Sequence, residues 1–394
     1  MNPKHFARLG LSIALSTLIV VAPVAQAQPA TPASPTQEPV KVGLMLPLSG
    51  VFTVIATEVR RGYELYMALH GKEAKHPIET VVENDEMRTQ VALLKFRKLV
   101  EQDKIDVLAG LFDATVAEAL RKPVQEAKLP TFVVTGPQRD LMKHQNPYLF
   151  RLSFNNYDYG HSVGRWINEK ELKRIAIIAP EYTSAQEMVD SLISTLKPGI
   201  EVVARIQTKL GEADFSPYFA QVRSLKPDVV YGWAAGADAI RFVQQWKTLG
   251  LDKIAQLTGP SGLTDDSFQV QQGDAAIGVV TNNYYTPSLR TPANKEFVDA
   301  YRAKYEGKPP GAFTVIGWDT AQAIVKAVAQ TKGTLKADDF VKIVRQVKFD
   351  SPRGPLTLDP ATQDAVQNYY ILQVTKESGA LGKKIIETYK PATH

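Results

Sequence analysis

Cysteine is absent from this 394-residue chain. No disulfide can form, and no lipid-modified cysteine can hold the protein to a membrane behind an export leader. Stability must then come from a large core, and the length allows one, with room for two domains of ordinary size. Beyond Ala22 there is no long uncharged apolar stretch. Neither sign of charge dominates: the formal net charge is +5. No run of Lys and Arg with interleaved aromatics occurs, so nucleic acid is not an expected partner. Histidine is scarce, with six residues. His5 and His394 lie near the ends, and His70, His76, His144 and His161 show no metal-ligand spacing such as H-E-x-x-H, so no metal site is expected. A G-x-x-x-x-G-K phosphate loop is missing, as are a G-x-G-x-x-G after the first strand and a G-x-S-x-G elbow. No nucleophile–base pair can be picked out. The chain is therefore expected to be neither an enzyme nor dependent on a cofactor.

What is present begins with a processing signal. Lys4, His5 and Arg8 make a basic start, and an apolar run follows from Leu9 to about Ala22. Pro23 breaks it, and Ala25-Gln26-Ala27 has the small-x-small form that a signal peptidase accepts. The run is shorter than the roughly 20 residues of a spanning helix. Residues 1–27 are thus expected to be a signal peptide cleaved after Ala27, and the mature protein to lie in the periplasm. Removal of Lys4 and Arg8 with the leader leaves a charge of +3. The stretch 28–39 is rich in Pro, Ala, Thr, Ser and Gln and is expected to be a disordered spacer with no role of its own.

From Val40 onward, short apolar runs alternate with amphipathic stretches. Lys41–Leu46, Ile78–Val82, Asp106–Gly110 and Thr131–Val134 read as strands. Val59–Leu69, Thr89–Gln102 and Thr115–Lys128 have apolar residues at helical spacing. Such alternation implies an α/β fold with parallel strands and helices on both faces. The strands are apolar throughout, as strands buried on both sides should be. The pattern restarts at Arg174–Ala179 and runs on through Ser184–Leu196, Ile200–Arg205, Pro217–Leu225, Val229–Trp233, Asp238–Leu249, Ala255–Thr258 and Ile277–Thr281. Two such units make two lobes. The tail adds helical pieces at Asn294–Tyr305, Thr314–Gln330 and Ala337–Gln346, then strand-like pieces at Leu356–Leu358, Asn368–Gln373 and Lys384–Tyr389. Ser351-Pro352-Arg353-Gly354-Pro355 is a natural crossing point.

In open parallel sheets, ligands bind beyond the carboxyl ends of the strands. Those ends carry Pro47-Leu48-Ser49-Gly50-Val51-Phe52, Leu111-Phe112-Asp113-Ala114-Thr115 and Thr135-Gly136-Pro137-Gln138-Arg139 in the first unit. In the second they carry Pro180-Glu181-Tyr182, Gly232-Trp233-Ala234-Ala235 and Gly259-Pro260-Ser261-Gly262. Helix N-termini follow several of them, and their free N–H groups can hold a carboxylate. Asp113 is equally readable as a helix N-cap, and Ser49 and Ser261 share that alternative. Tyr182 and Trp233, at strand ends, are expected to be walls of a cleft.

These segments resemble the periplasmic binding proteins of the branched-chain amino acid type, the group of the leucine/isoleucine/valine-binding protein. The resemblance is carried by Lys41-Val42-Gly43 with Pro47-Leu48-Ser49-Gly50, Gly62, Asn84-Asp85, Leu149-Phe150-Arg151, Arg174-Ile175-Ala176-Ile177-Ile178, Phe215-Ser216-Pro217, Pro227-Asp228-Val229-Val230-Tyr231 and Gly259-Pro260-Ser261-Gly262, in order along residues 40–390. It implies two Rossmann-like lobes, 40–155 plus 284–352 and 156–283 plus 353–390. Three crossovers would join them, near Phe154–Asp158, Thr281–Tyr285 and Ser351–Pro355. It also implies hinge closure over a small molecule, docking of the closed form on the permease of an ABC importer, and a monomer.

Carried over onto this sequence, the resemblance places ligand contacts at Ile55 with Phe52 near it, at Ala114 and Thr115, at Gly136, Pro137 and Gln138, at Tyr182, and at Trp233 and Ala234. The acidic residue that would pair with an α-ammonium falls on Ser261. A buried ammonium without a carboxylate partner is costly. The expected ligand is therefore an organic acid without the amine, aromatic or aliphatic, with Phe52, Phe112, Tyr182, Trp233 and Tyr284 forming an apolar slot. Asp113 stays open between a helix cap, a partner for Arg139, and a replacement for the missing acid, in which case an amino acid or amide is the ligand. A receptor serving a membrane sensor would have the same sequence features.

Overall fold

The computed structural model describes residues 38–135, 142, 146–266, 268–331, 335–377 and 379–390. The expected leader with its cleavage point, most of the 28–39 spacer, and Gly136, Pro137, Gln138 and Arg139 lie outside the described residues.

The chain opens with β1 (Val40–Leu46), α1 (Thr53–His70), β2 (Ile78–Asn84), α2 (Thr89–Arg97), β3 (Val107–Leu111), α3 (Ala114–Ala127), β4 (Thr131–Val133) and β5 (Leu149–Arg151). The five strands are all parallel, in the order β2-β1-β3-β4-β5. Every residue of β3 and β4 is buried, because helices cover both faces of the sheet. Edge strand β2 is half-exposed and accordingly mixes Glu79 and Thr80 with its valines. Where the sequence predicts one helix to Gln102, α2 gives way to a π-type turn at Lys98–Asp103. The turn keeps Leu99 buried and lets Lys98 reach both Glu83 and Asp103.

The second sheet follows α4 (Asn156–Glu169). Its elements are β6 (Arg174–Pro180), α5 (Thr183–Thr195), β7 (Glu201–Thr208), α6 (Ser216–Leu225), β8 (Val229–Gly232), α7 (Gly236–Thr248), β9 (Gln256–Gly259), α8 (Gln269–Gln272) and β10 (Val280–Asn283). Then come α9 (Pro292–Lys304), α10 (Ala312–Val328), α11 (Ala337–Val344), β11 (Leu356–Leu358), β12 (Ala365–Gln367), β13 (Tyr369–Glu377) and β14 (Ala380–Tyr389). The order is β14-β13-β10-β9-β8-β6-β7, with β13 and β14 antiparallel additions to a parallel core. Strands β11 and β12 form a separate ribbon, held to β5 by an Arg151–Asp364 bridge. The second sheet thus regains the chain at Tyr369, beyond that ribbon.

Helix α10 belongs with the first sheet. It lies against α1 with all of its residues but Lys326 buried. The two backbones approach so closely that a Cβ on Gly317 would sit 1.9 Å from the Val59 carbonyl oxygen, and one on Gly62 would sit 1.8 Å from that of Thr314. Glycine is needed at both points because the obstacle is backbone, which cannot swing aside.

The chain therefore passes between the sheets three times: after β5, after β10, and between α11 and β13. Arg353 ties these passages together. Its Nε donates to Asp319 Oδ2 on α10 at 2.7 Å, its Nη1 to Gln367 Oε1 at 2.6 Å, and its Nη2 to the Leu152 carbonyl. Its guanidinium lies 5.2 Å from the ring centre of Tyr284. One buried cation thus contacts all three connections.

Candidate binding cleft

The strand ends of both sheets converge on one small cavity, whose empty space, including what opens to solvent, is about 480 Å³. From the first-sheet side, Phe52 and Ile55 arrive at the start of α1, Phe112 and Thr135 follow β3 and β4, and Phe313 stands in the first turn of α10. From the second-sheet side come Tyr182, Ser184 and Met188 around the start of α5. Trp233, Ala234 and Ala235 follow β8, and Pro260, Ser261 and Gly262 follow β9. Phe154, Asn156 and Tyr159, from the first connection and α4, complete the lining.

The wall is largely aromatic. Rings run across the cleft from Phe112 to Phe52 (5.6 Å), to Tyr182 (6.2 Å), and on to Trp233 (5.6 Å). No charged side chain belongs to the lining among the described residues. Its polar groups mostly face one another. Thr135 donates its hydroxyl to the Phe112 carbonyl. Tyr159 donates to Ser261 Oγ at 2.9 Å, which leaves the Ser261 proton to donate in turn. Tyr182 donates to Asp113 Oδ2 at 3.0 Å, a direct link between the two walls. Burial pushes the Tyr159 and Tyr182 hydroxyls well above the usual tyrosine range, and the Asp113 carboxylate adds to the effect at Tyr182. Both therefore remain protonated donors.

Asp113 itself is the N-cap of α3. Its Oδ1 accepts from Thr115 N at 2.9 Å and Val116 N at 3.0 Å. That helix end is thereby saturated by the chain's own carboxylate. By contrast, the N-cap residues of α5 and α7, Tyr182 and Ala235, make no side-chain cap bond. Their first turns, beside Ser184 and Ala234, carry the positive end of the helix dipole.

Of the residues singled out in the sequence, Phe52, Ile55, Phe112, Tyr182, Trp233, Ala234 and Ser261 come together on the cavity wall. Five others do not line it. Ser49 is exposed and accepts from Asn84 Nδ2. Thr115 is exposed on α3, and Ala114 is buried behind the cap. Asp113 is turned back onto its own helix. Tyr284 is buried beneath the floor, donating to the Ala312 carbonyl and facing Phe154. Gly136, Pro137 and Gln138 lie outside the described residues. Sequence reasoning missed Phe154, Asn156, Tyr159, Ser184, Met188 and Phe313. Helix α4 could have been found from Tyr159, Val163, Trp166 and Ile167 at helical spacing behind an Asn155 cap. Among the described residues, no three His, Cys, Asp or Glu cluster to hold a metal ion. No helix there is long and apolar enough to cross a membrane.

A family model described as periplasmic binding protein matches residues 39–380. Leu/Ile/Val-binding protein homolog 6 of Brucella melitensis is 27% identical over 358 residues, covering 89% of this chain and 92% of that one. Among solved structures, an ABC transporter solute-binding protein of R. palustris in complex with benzoate superposes with a TM-score of 0.83. It is 31% identical, with 90% of this chain and 97% of that one covered. A solute-binding protein of Rhodopseudomonas palustris BisB5 in complex with 3,4-dihydroxybenzoic acid gives a TM-score of 0.84. It is 29% identical, with 89% and 97% covered.

Proposed function

The chain belongs to the periplasmic binding protein family, and from that premise we propose that it is the substrate-binding component of an ABC importer whose cleft takes an aromatic carboxylate. The observation that carries the reading is the wall itself: rings from both sides and, among the described residues, no charged side chain. An α-ammonium would find no carboxylate among the described lining residues, with Ser261 at the position where the family resemblance places one. Asp113 does not replace it, since its oxygens are engaged by two backbone N–H groups and by Tyr182. A flat apolar ring would be met by the side chains of Phe52, Phe112 and Trp233. Its carboxylate would be held by neutral donors, the Ser261 hydroxyl and the first turns of α5 and α7. The benzoate and dihydroxybenzoate complexes of the two related solute-binding proteins support the same ligand class.

The finer parts of the reading follow the same premise. The leader would be removed after Ala27, giving a periplasmic monomer that docks on a membrane permease. The bodies 40–155 plus 284–352 and 156–283 plus 353–390 would close about the connections held by Arg353. N-terminal sequencing of the exported protein tests the cleavage point.

Titration of benzoate, hydroxybenzoates, short aliphatic acids, leucine and isoleucine, followed by Trp233 fluorescence and by calorimetry, tests the ligand. Aromatic acids should bind with Kd on the order of 1 μM, about 8 kcal/mol, and the amino acids should not. Stabilisation by α-amino acids alone would overturn the reading.

A further inference from the structure

Among the described residues, the cavity lining holds one buried acceptor that meets no donor. Asn156, the first residue of α4, is fully buried and belongs to the lining. Its Nδ2 donates to Glu187 Oε2 at 2.8 Å. A carboxylate only accepts, so this bond fixes the amide with its nitrogen toward Glu187. The opposite atom, Oδ1, is buried and has no hydrogen-bond partner. Of the hydroxyls that share the cavity, Thr135 donates to Phe112, Tyr159 to Ser261 and Tyr182 to Asp113. A buried acceptor left without a donor is unfavourable, and a site of this kind discriminates strongly between a guest that supplies the donor and one that lacks it.

We infer that Asn156 Oδ1 accepts a hydrogen bond from a hydroxyl on the ring of the guest, so that the preferred ligand is a hydroxylated aromatic acid rather than the bare one. This rests on the aromatic-carboxylate reading and sharpens it. In an apolar, ring-lined cavity the guest carries two polar points. The carboxylate goes to the neutral donors of the second-sheet wall, and the hydroxyl goes to the start of α4. The separation between those points selects one position of ring substitution over the others.

The test compares benzoate, its three monohydroxy isomers and the corresponding methoxy acids on the unaltered protein and on Asn156→Leu. The methoxy group has nearly the place of the hydroxyl and no proton to donate. One hydroxy isomer should bind at least about tenfold more tightly than benzoate and than its own methoxy analogue, a difference of about 1.4 kcal/mol. In Asn156→Leu that ratio should collapse to near unity, whatever the change in benzoate affinity itself. Selective ¹⁵N labelling of asparagine gives a second readout that needs no variant: the Asn156 side-chain resonance should shift with the hydroxylated acid and not with benzoate. Equal affinity for benzoate and every hydroxy isomer overturns the inference while leaving the aromatic-acid reading intact. A preference that survives Asn156→Leu, or an Asn156 resonance indifferent to the hydroxyl, overturns it as well. Failure of every aromatic acid to bind ends both.

Discussion

Replacing Arg353 by Met should cost the protein more stability than any single surface change. Arg353 and Asp319 are both completely buried, 2.7 Å apart. Removing one partner of such a pair leaves an uncompensated charge in the interior, which typically costs about 3–5 kcal/mol. Gln367 Oε1 and the Leu152 carbonyl lose their donor at the same time. The loss should depend on pH. Burial already pushes the Asp319 carboxyl above its ordinary value, and the guanidinium opposes that. Without the arginine, burial dominates further, and the native state binds a proton more readily than the unfolded chain does. Stability of the variant should then rise as pH falls toward the ordinary carboxylate range, so its deficit shrinks. The assay is urea unfolding at pH 7.5 and pH 5, for Arg353→Met, Asp319→Leu and the pair together. The double variant should be more stable than Arg353→Met alone, because an apolar pair carries no stranded charge. A loss under about 1 kcal/mol, a deficit indifferent to pH, or a double variant no better than the single would refute the reasoning.

Two further outcomes follow from buried contacts. Gly317→Ala sets a methyl 1.9 Å from the Val59 carbonyl oxygen, so α1 and α10 must part; a loss of roughly 1–3 kcal/mol is expected in the same unfolding assay. Asp85 is buried, with Oδ1 bonded to Met87 N and Oδ2 unpartnered, and burial raises its pKa to about 6. It therefore stays protonated in the folded protein where the unfolded chain has lost the proton. Its contribution, about 3 kcal/mol, should be present near pH 4 and fade as pH rises through about 6. Asp85→Asn should flatten that part of the stability profile.

The architecture was legible because its signal is local. Strands β1, β3, β4, β6 and β8 are buried on both faces, so each shows as an unbroken apolar run, and Gly or Pro marks many of the turns between them. Helix α4 escaped notice because its apolar face is made of Tyr159, Val163 and Trp166 among Asn, Asp, His and Gly, rather than of aliphatic residues. The cleft was legible only in part. Residues directly after a strand, such as Trp233 and Ser261, are placed by the sheet itself. Phe313 enters from a helix some two hundred residues beyond Phe112, and only the packing of α10 on α1 brings it there. Asp113 shows a different limit. The same residue at the same loop serves a guest or caps a helix according to the direction of its side chain, which the spacing does not encode.

The Tyr182–Asp113 bond is made by the protein alone, from wall to wall. A hydroxyl meeting a carboxylate contributes roughly 1.5–3 kcal/mol net, so the shut shape has its own source of favourable free energy. In an import system this sets a compromise. A carrier already partly shut captures scarce cargo at lower concentration, because less of the binding free energy goes into reshaping. A membrane pump that responds to shape alone would also meet unladen carriers resembling laden ones, and some of its ATP would be hydrolysed without delivery.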